Sequence, residues 1–198
     1  MPDQLNHNRT VNRLNPLRKP TSEDLQAAYG QPMADIIGPN LKILFCGINP
    51  SIYSAAVCHH FARPGNRFWK TLYGAGLTPR LLTPAEDREL LKFGYGLTNI
   101  AAPATARADE LSQEDLRQGY LTLAQKIQQY RPKCLAVLGI SAYRTAFKQP
   151  RARVGPQEPL HGTLVWALPN PSGLNAHYQL DGLQRVYREL LDAVGDKG

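Results

Sequence analysis

Four short apolar runs, each separated from the next by a helix-like pattern, set the strongest limit on how this chain can fold. They are LKILFCG, ending at Gly47, then Leu97 to Ile100, Cys134 to Gly139 and Thr163 to Leu168. Runs that stay apolar at successive positions, without alternating, belong to strands covered on both faces. Strands joined through helices pair in parallel, because a parallel neighbour is reached only by a crossover of helical length. The pattern predicts an α/β fold of three layers, α/β/α, with a central four-stranded, mostly parallel sheet. At 198 residues and 22.0 kDa the chain suits one well-buried domain.

The helices carry their own end signals. Thr21 and Ser22 precede a short helix through Glu23 to Tyr29, stopped by Gly30. Thr83-Pro84-Ala85-Glu86 combines a capping threonine, a first-turn proline and a glutamate placed to cap back, predicting a helix to about Lys92 that Gly94 ends. Ser112 opens a long helix with Leu116, Tyr120, Leu123 and Ile127 on one face, closing before Pro132. A further helix follows Ser141, and the last runs from about His177 to Val194.

Lys and Arg total 23 against 16 Asp and Glu, a formal charge of +7, which favours polyanionic partners through counterion release. The excess is uneven. Arg131, Lys133, Arg144, Lys148, Arg151 and Arg153 occur with no Asp or Glu between Arg131 and Gln157, while Arg9, Arg13, Arg18 and Lys19 face only Asp3 in the first twenty positions. Either group could be a solvated face or a surface for nucleic acid. No stretch approaches the roughly 18 to 20 apolar residues of a membrane span, and MPDQLNHNRT lacks a secretory apolar core. These features predict a cytoplasmic protein with no membrane partner. Cys46, Cys58 and Cys134 are odd in number and lack CxxC spacing, which argues against a disulfide framework and against a zinc or iron-sulfur site, so no metal is expected.

In parallel sheets the loops that bind ligands gather at the carboxyl ends of the strands. Two such loops stand out. Gly47-Ile48-Asn49-Pro50 follows the first strand, and Asn170-Pro171-Ser172-Gly173-Leu174-Asn175 follows the last. An Asn-Pro pair by itself marks a turn. Leu174, among small polar residues, is either a staple for the following helix or an exposed tip with a use. Phe61, ahead of the Pro64-Gly65 break, either packs into the core or offers a stacking surface. Asp109 is either a helix-entry acid before Ser112 or a carboxylate base that reaches the strand ends. His59 and His60 could line a pocket or brace their own loop.

Together these segments resemble the mismatch-specific uracil-DNA and thymine-DNA glycosylases of the uracil-DNA glycosylase superfamily. The resemblance rests on GINP (Gly47 to Pro50), HHFARPGNRFW (His59 to Trp69), GYGLTNI (Gly94 to Ile100), AVLG (Ala136 to Gly139) and LPNPSGLN (Leu168 to Asn175), in family order from about residue 34 to 193. It implies a division into a basic, partly flexible N-terminal extension, residues 1–33, and a single glycosylase domain, residues 34–198. The implied activity is hydrolytic removal of uracil, with thymine or other damaged pyrimidines as further substrates, from G:U and G:T mispairs in double-stranded DNA. The implied enzyme leaves an abasic site, acts as a monomer and uses no cofactor.

By this resemblance Asn49 positions the attacking water; Asp109 is a second catalytic candidate from its place in the loop alone. Gly47, Ile48, Pro50, Ser54, Ala55 and Phe61 form the pyrimidine pocket, and Leu174 is the wedge that fills the vacated stack. Asn170, Pro171, Ser172, Gly173 and Asn175 carry that wedge and face the opposite base. Ser51 stands where the family often has glycine, and Ala176 where some relatives have arginine. Two rivals remain: a DNA mismatch or damage reader that binds with weak or no turnover, and an enzyme of phosphorylated small molecules. The chain lacks the glycine-rich phosphate-binding signatures the last would need.

Overall fold

A computed structural model describes residues 17–195. The basic positions Arg9 and Arg13 of the expected extension lie outside the described residues. Strands β1 (Ile43–Gly47), β2 (Tyr95–Asn99), β3 (Cys134–Leu138), β4 (Gly155–Leu160) and β5 (Thr163–Leu168) form one sheet in the order β2-β1-β3-β5-β4. All neighbouring pairs are parallel except β4 with β5.

The helices are α1 (Ser22–Ala28), α2 (Ile52–Val57), α3 (Phe68–Gly74), α4 (Gln113–Tyr130), α5 (Ile140–Ala146) and α6 (Leu180–Gly195). Successive strand residues point to opposite faces. Ile43, Phe45, Tyr95, Leu97 and Ala136 join Phe68 and Leu72 of α3 and Leu183, Tyr187 and Leu190 of α6 in one core. Leu44, Cys46, Leu135, Val137 and Val165 join Leu116, Leu123 and Ile127 of α4 and Tyr143 of α5 in the other. The result is an α/β/α sandwich, and the unbroken apolar runs of β1 and β3 exist because each of their residues is buried. No helix among the described residues is long and apolar enough to cross a membrane.

The sheet has five strands, not the four expected. The missed strand, GPQEPL, lacks an apolar run and contains Pro156 and Pro159. It is tolerated because β4 lies at the sheet edge, where a missing N–H need not be paired on the outer side. Its register is irregular between Gln157 and Leu160.

The element expected from Thr83 to Lys92 is a 3-10 helix, Pro84–Phe93, with non-helical dihedrals at Glu86. The capping signal is genuine, since Glu86 accepts from the Thr83 N–H at 2.9 Å, but the same carboxylate also pairs with Arg80 at 2.7 Å. The last helix starts at Leu180, later than the expected His177: the His177 N–H bonds the Asn175 side chain at 3.1 Å within the preceding loop, and the first helical bond runs from the Leu183 N–H to the Gln179 carbonyl at 3.0 Å. The short N-terminal helix forms as expected, capped by Thr21, with Ala28 buried and the following Gly30 N–H bonded to the Ala104 carbonyl at 2.8 Å.

Phe45 lies fully buried against the edges of Phe68 and Tyr95, with ring centroids 5.6 and 5.9 Å away, and stacks on Tyr187 at 6.4 Å. It therefore joins β1, β2, α3 and α6 at one point. Phe45→Ala should lower stability by about 3–5 kcal/mol. The check is a lower urea midpoint at unchanged m-value.

Candidate active site

The parallel strands bring the residues after Gly47, Asn99, Leu138 and Leu168 to one edge of the sheet. There they surround a cavity of about 370 Å³, within the range of small-ligand sites. Of the residues selected from sequence, Gly47, Ile48, Asn49, Pro50, Ser54, Phe61 and Asp109 line it from one side, and Asn170, Ser172, Leu174 and Asn175 from the other. Ala55, Pro171 and Gly173 are not in the lining.

Asn49 is held by its amide nitrogen, which donates to the Pro103 carbonyl at 2.8 Å and to Thr105 Oγ1 at 2.7 Å. Thr105 spends its own proton on the Arg107 carbonyl at 2.7 Å, so its oxygen can only accept from Asn49. Both contacts require the nitrogen on this side. The amide therefore has one orientation, with Oδ1 left available to the cavity. Nothing local in the sequence signals that Thr105 contacts a residue 56 positions away. Gly47 is required by close approach, since a Cβ there would lie 2.5 Å from Asn99 Oδ1. Asn99, at the end of β2, also lines the cavity and was not singled out as a site residue.

Phe61 combines both readings considered from sequence. Its ring stacks on the buried Phe68 at 4.0 Å and also borders the cavity. Its backbone is left-handed, φ 53°, a conformation costing roughly 1–2 kcal/mol outside glycine. The flanking N–H groups hold it there: His60 donates to Asp87 Oδ2 at 3.1 Å and Ala62 donates to Ser54 Oγ at 3.1 Å. Ser51 caps α2 by accepting from the Ser54 N–H at 3.2 Å, and its hydroxyl donates to Ser54 Oγ at 3.1 Å. Ser51 thus ties α2 to the Phe61 loop.

The two histidines brace this loop. His59 Nδ1 lies 3.2 Å from Asp87 Oδ2. His60 is buried and its Nε2 is 3.0 Å from the Ala34 carbonyl, which can only accept, so Nε2 carries the proton. Burial pushes the His60 imidazole below its ordinary value, against the opposing pull of the Ala34 carbonyl and Asp87.

On the far wall, Asn170 Oδ1 accepts from the Ser172 N–H at 2.9 Å, Ser172 Oγ accepts from the Leu174 N–H at 3.2 Å, and Asn175 Nδ2 donates to the Asn170 carbonyl at 2.9 Å. These bonds fold the loop upon itself and leave Leu174 69% exposed, so it does not staple α6. Gly173 packs on the Pro64-Gly65 turn, where a Cβ would come within 2.6 Å of the Gly65 carbonyl oxygen.

Asp109 sits at the cavity mouth on a 3-10 turn, Ala108–Glu110, ahead of α4. Arg107 grips its carboxylate, with Nη2 2.7 Å from Oδ2 and Nε 3.0 Å from Oδ1. These bonds hold the carboxyl below the usual carboxylate range, which makes it a weaker proton acceptor. Among the described residues no cluster of three or more His, Cys, Asp or Glu could hold a metal ion.

The profile of the Uracil DNA glycosylase superfamily matches residues 34–191, and the chain belongs to that superfamily. A solution NMR structure of a candidate uracil DNA glycosylase from Methanosarcina acetivorans is similar in fold, with a TM-score of 0.54 at 18% identity, covering 81% of this chain and 98% of that one.

The lowered His60 pKa has a definite sign. On acidification the unfolded chain takes up this proton before the folded one, so stability falls as the pH drops through 6.5. Urea midpoints should decline between about pH 7 and pH 5, and His60→Gln should flatten that decline.

Proposed function

We propose that the protein is a monofunctional DNA glycosylase that extrudes uracil from G:U mispairs in duplex DNA and hydrolyses its bond to deoxyribose. Thymine in G:T mispairs and other damaged pyrimidines are further candidate substrates. One observation carries this reading: the oriented Asn49 amide and the exposed Leu174 belong to loops that open into the same cavity.

A base inside a duplex must leave the stack, at a cost of a few kcal/mol that is smallest at a mispair. Leu174 enters the gap and replaces lost stacking contacts, while the loop around it meets the opposite base. The extruded pyrimidine enters against the open face of Phe61, whose other face rests on Phe68. Asn49 Oδ1 accepts a hydrogen bond from water and holds it below the sugar carbon. An amide is too weak a base to deprotonate that water in the ground state. Bond breaking therefore leads, and the rate depends on dipoles that stabilise the departing pyrimidine anion and on DNA phosphates that stabilise an oxocarbenium-like sugar. Slow turnover on poor leaving groups follows. Asp109, gripped by Arg107 at the mouth, is better suited to shaping the rim than to taking a proton.

The decisive experiment is a panel of duplexes with defined lesions and opposite bases, assayed for abasic sites under single-turnover conditions. Asn49→Ala should slow uracil release from G:U duplexes by about 100-fold or more with melting unchanged. Normal release by that variant would remove Asn49 from the chemistry. Stable mispair binding by the unaltered protein without released base would favour the damage-reader alternative. Leu174→Ala should slow release from duplex more than from single strands, and equal losses would count against the wedge.

A further inference from the structure

Arg67 occupies a position that local structure does not explain. It stands at the N-cap of α3, where a cation opposes the helix dipole, and its side chain makes no cap. No carboxylate among the described residues pairs with it. Its donors go instead to four main-chain carbonyls beyond the last strand. Nε reaches Pro171 O at 3.4 Å, Nη1 reaches Tyr178 O at 2.6 Å, and Nη2 reaches both Asn175 O at 3.0 Å and Ser172 O. The Arg67 main-chain N–H adds a bond to Pro171 O at 3.0 Å.

The carbonyls that share Nη2 belong to the residues on either side of the Gly173-Leu174 tip. Leu174 itself is largely exposed, so its side chain has little packing to fix its direction. Its place is set by the backbone around it, which is held by the loop's own Asn and Ser bonds and, from α3, by the Arg67 guanidinium. Exposed apolar tips gain by folding back onto the protein. Holding one out toward solvent requires a support that resists this collapse. A planar guanidinium can serve divergent carbonyls at once; an ammonium offers three donors from one point and cannot span them.

Building on the proposed function, we infer that Arg67 is the positioning residue of the Leu174 wedge and sets the efficiency of base extrusion without touching the reacting atoms. Preorganisation is the physical basis, because a tip already held in its inserted geometry does not lose further freedom on meeting DNA.

The test is a double-mutant cycle on single-turnover uracil release from a G:U duplex, with unaltered protein, Arg67→Lys, Leu174→Ala and the double variant. Arg67→Lys should slow release by about tenfold or more, and the double variant should be slower than the slower single by no more than about twofold. Losses that multiply would overturn the role, since Arg67 would then act elsewhere. A fluorescent base analogue beside the uracil supplies the second readout. Arg67→Lys should reduce the extrusion signal while the release rate of the extruded fraction stays unchanged; a normal signal with slower release would equally overturn it. Should Arg67→Lys melt below the assay temperature, Arg67→Gln removes the same contacts, since its amide offers two donors where the guanidinium offers five. It should show the same loss of extrusion signal, and a normal signal would refute the role. No release by the unaltered protein from any lesion duplex would dismiss the proposed function and the Arg67 role together, whereas release with multiplying losses dismisses Arg67 alone.

Discussion

Parallel pairing of strands covered on both faces is the constraint on which the rest of this molecule depends. Each residue of β1 and β3 is buried, so neither face of the sheet centre can receive a ligand. Parallel direction then sends the carboxyl ends of β1, β2, β3 and β5 to the same edge, where the backbone must turn back toward the helices. The cavity is the space those turns leave between them. The antiparallel β4 closes the sheet on the side away from β2, and its prolines blunt the exposed edge against further pairing.

At that edge, polar groups are disposed so that the protein satisfies the donors it must and leaves selected atoms for something else. The nitrogen of Asn49 is committed to Pro103 and Thr105, which frees the oxygen. Ser51, Ser54 and Ala62 form a chain of hydrogen bonds from the start of α2 to the strained Phe61. Serine at position 51 is therefore compatible with an open cavity: its hydroxyl is directed at α2 and its neighbour, and the cavity persists beside it. Across the gap, the loop carrying Leu174 makes no use of its own leucine for packing. Its shape comes from internal Asn and Ser contacts and from the Arg67 guanidinium beneath it.

Much of the scaffold is legible in the amino-acid sequence. The buried strands announce themselves as apolar runs, and Thr21, Ser112 and the Thr83-Glu86 pair signal helix starts through short-range hydrogen bonding that any chain with those residues can form. β4 was not legible, because an exposed edge strand with two prolines has no apolar pattern to show. The 3-10 geometry at Pro84–Phe93 was not legible either, because the Thr83-Glu86 capping signal is the same for both kinds of helix start and is intact here. Asn49, Phe61 and Leu174 are found through a resemblance in motif, whereas Asn99 and Arg67 lie within the same motifs without a role that the motif assigns, and Thr105 lies outside them.

The amino-acid order alone determined the periodicities, the caps and the turns, since these arise from forces acting over a few residues: burial of alternating or continuous faces, a side-chain oxygen near an N–H, a proline's missing donor. Tertiary structure decided which distant groups meet. Whether Thr105 accepts from Asn49, whether a guanidinium in the sixties underlies a tip in the seventies of the next hundred, and whether Leu174 packs or projects all depend on contacts between segments brought together only when the sheet closes. Those contacts carry no local signature, because a hydrogen bond between residues a hundred positions apart constrains neither neighbourhood's sequence until the fold places them side by side.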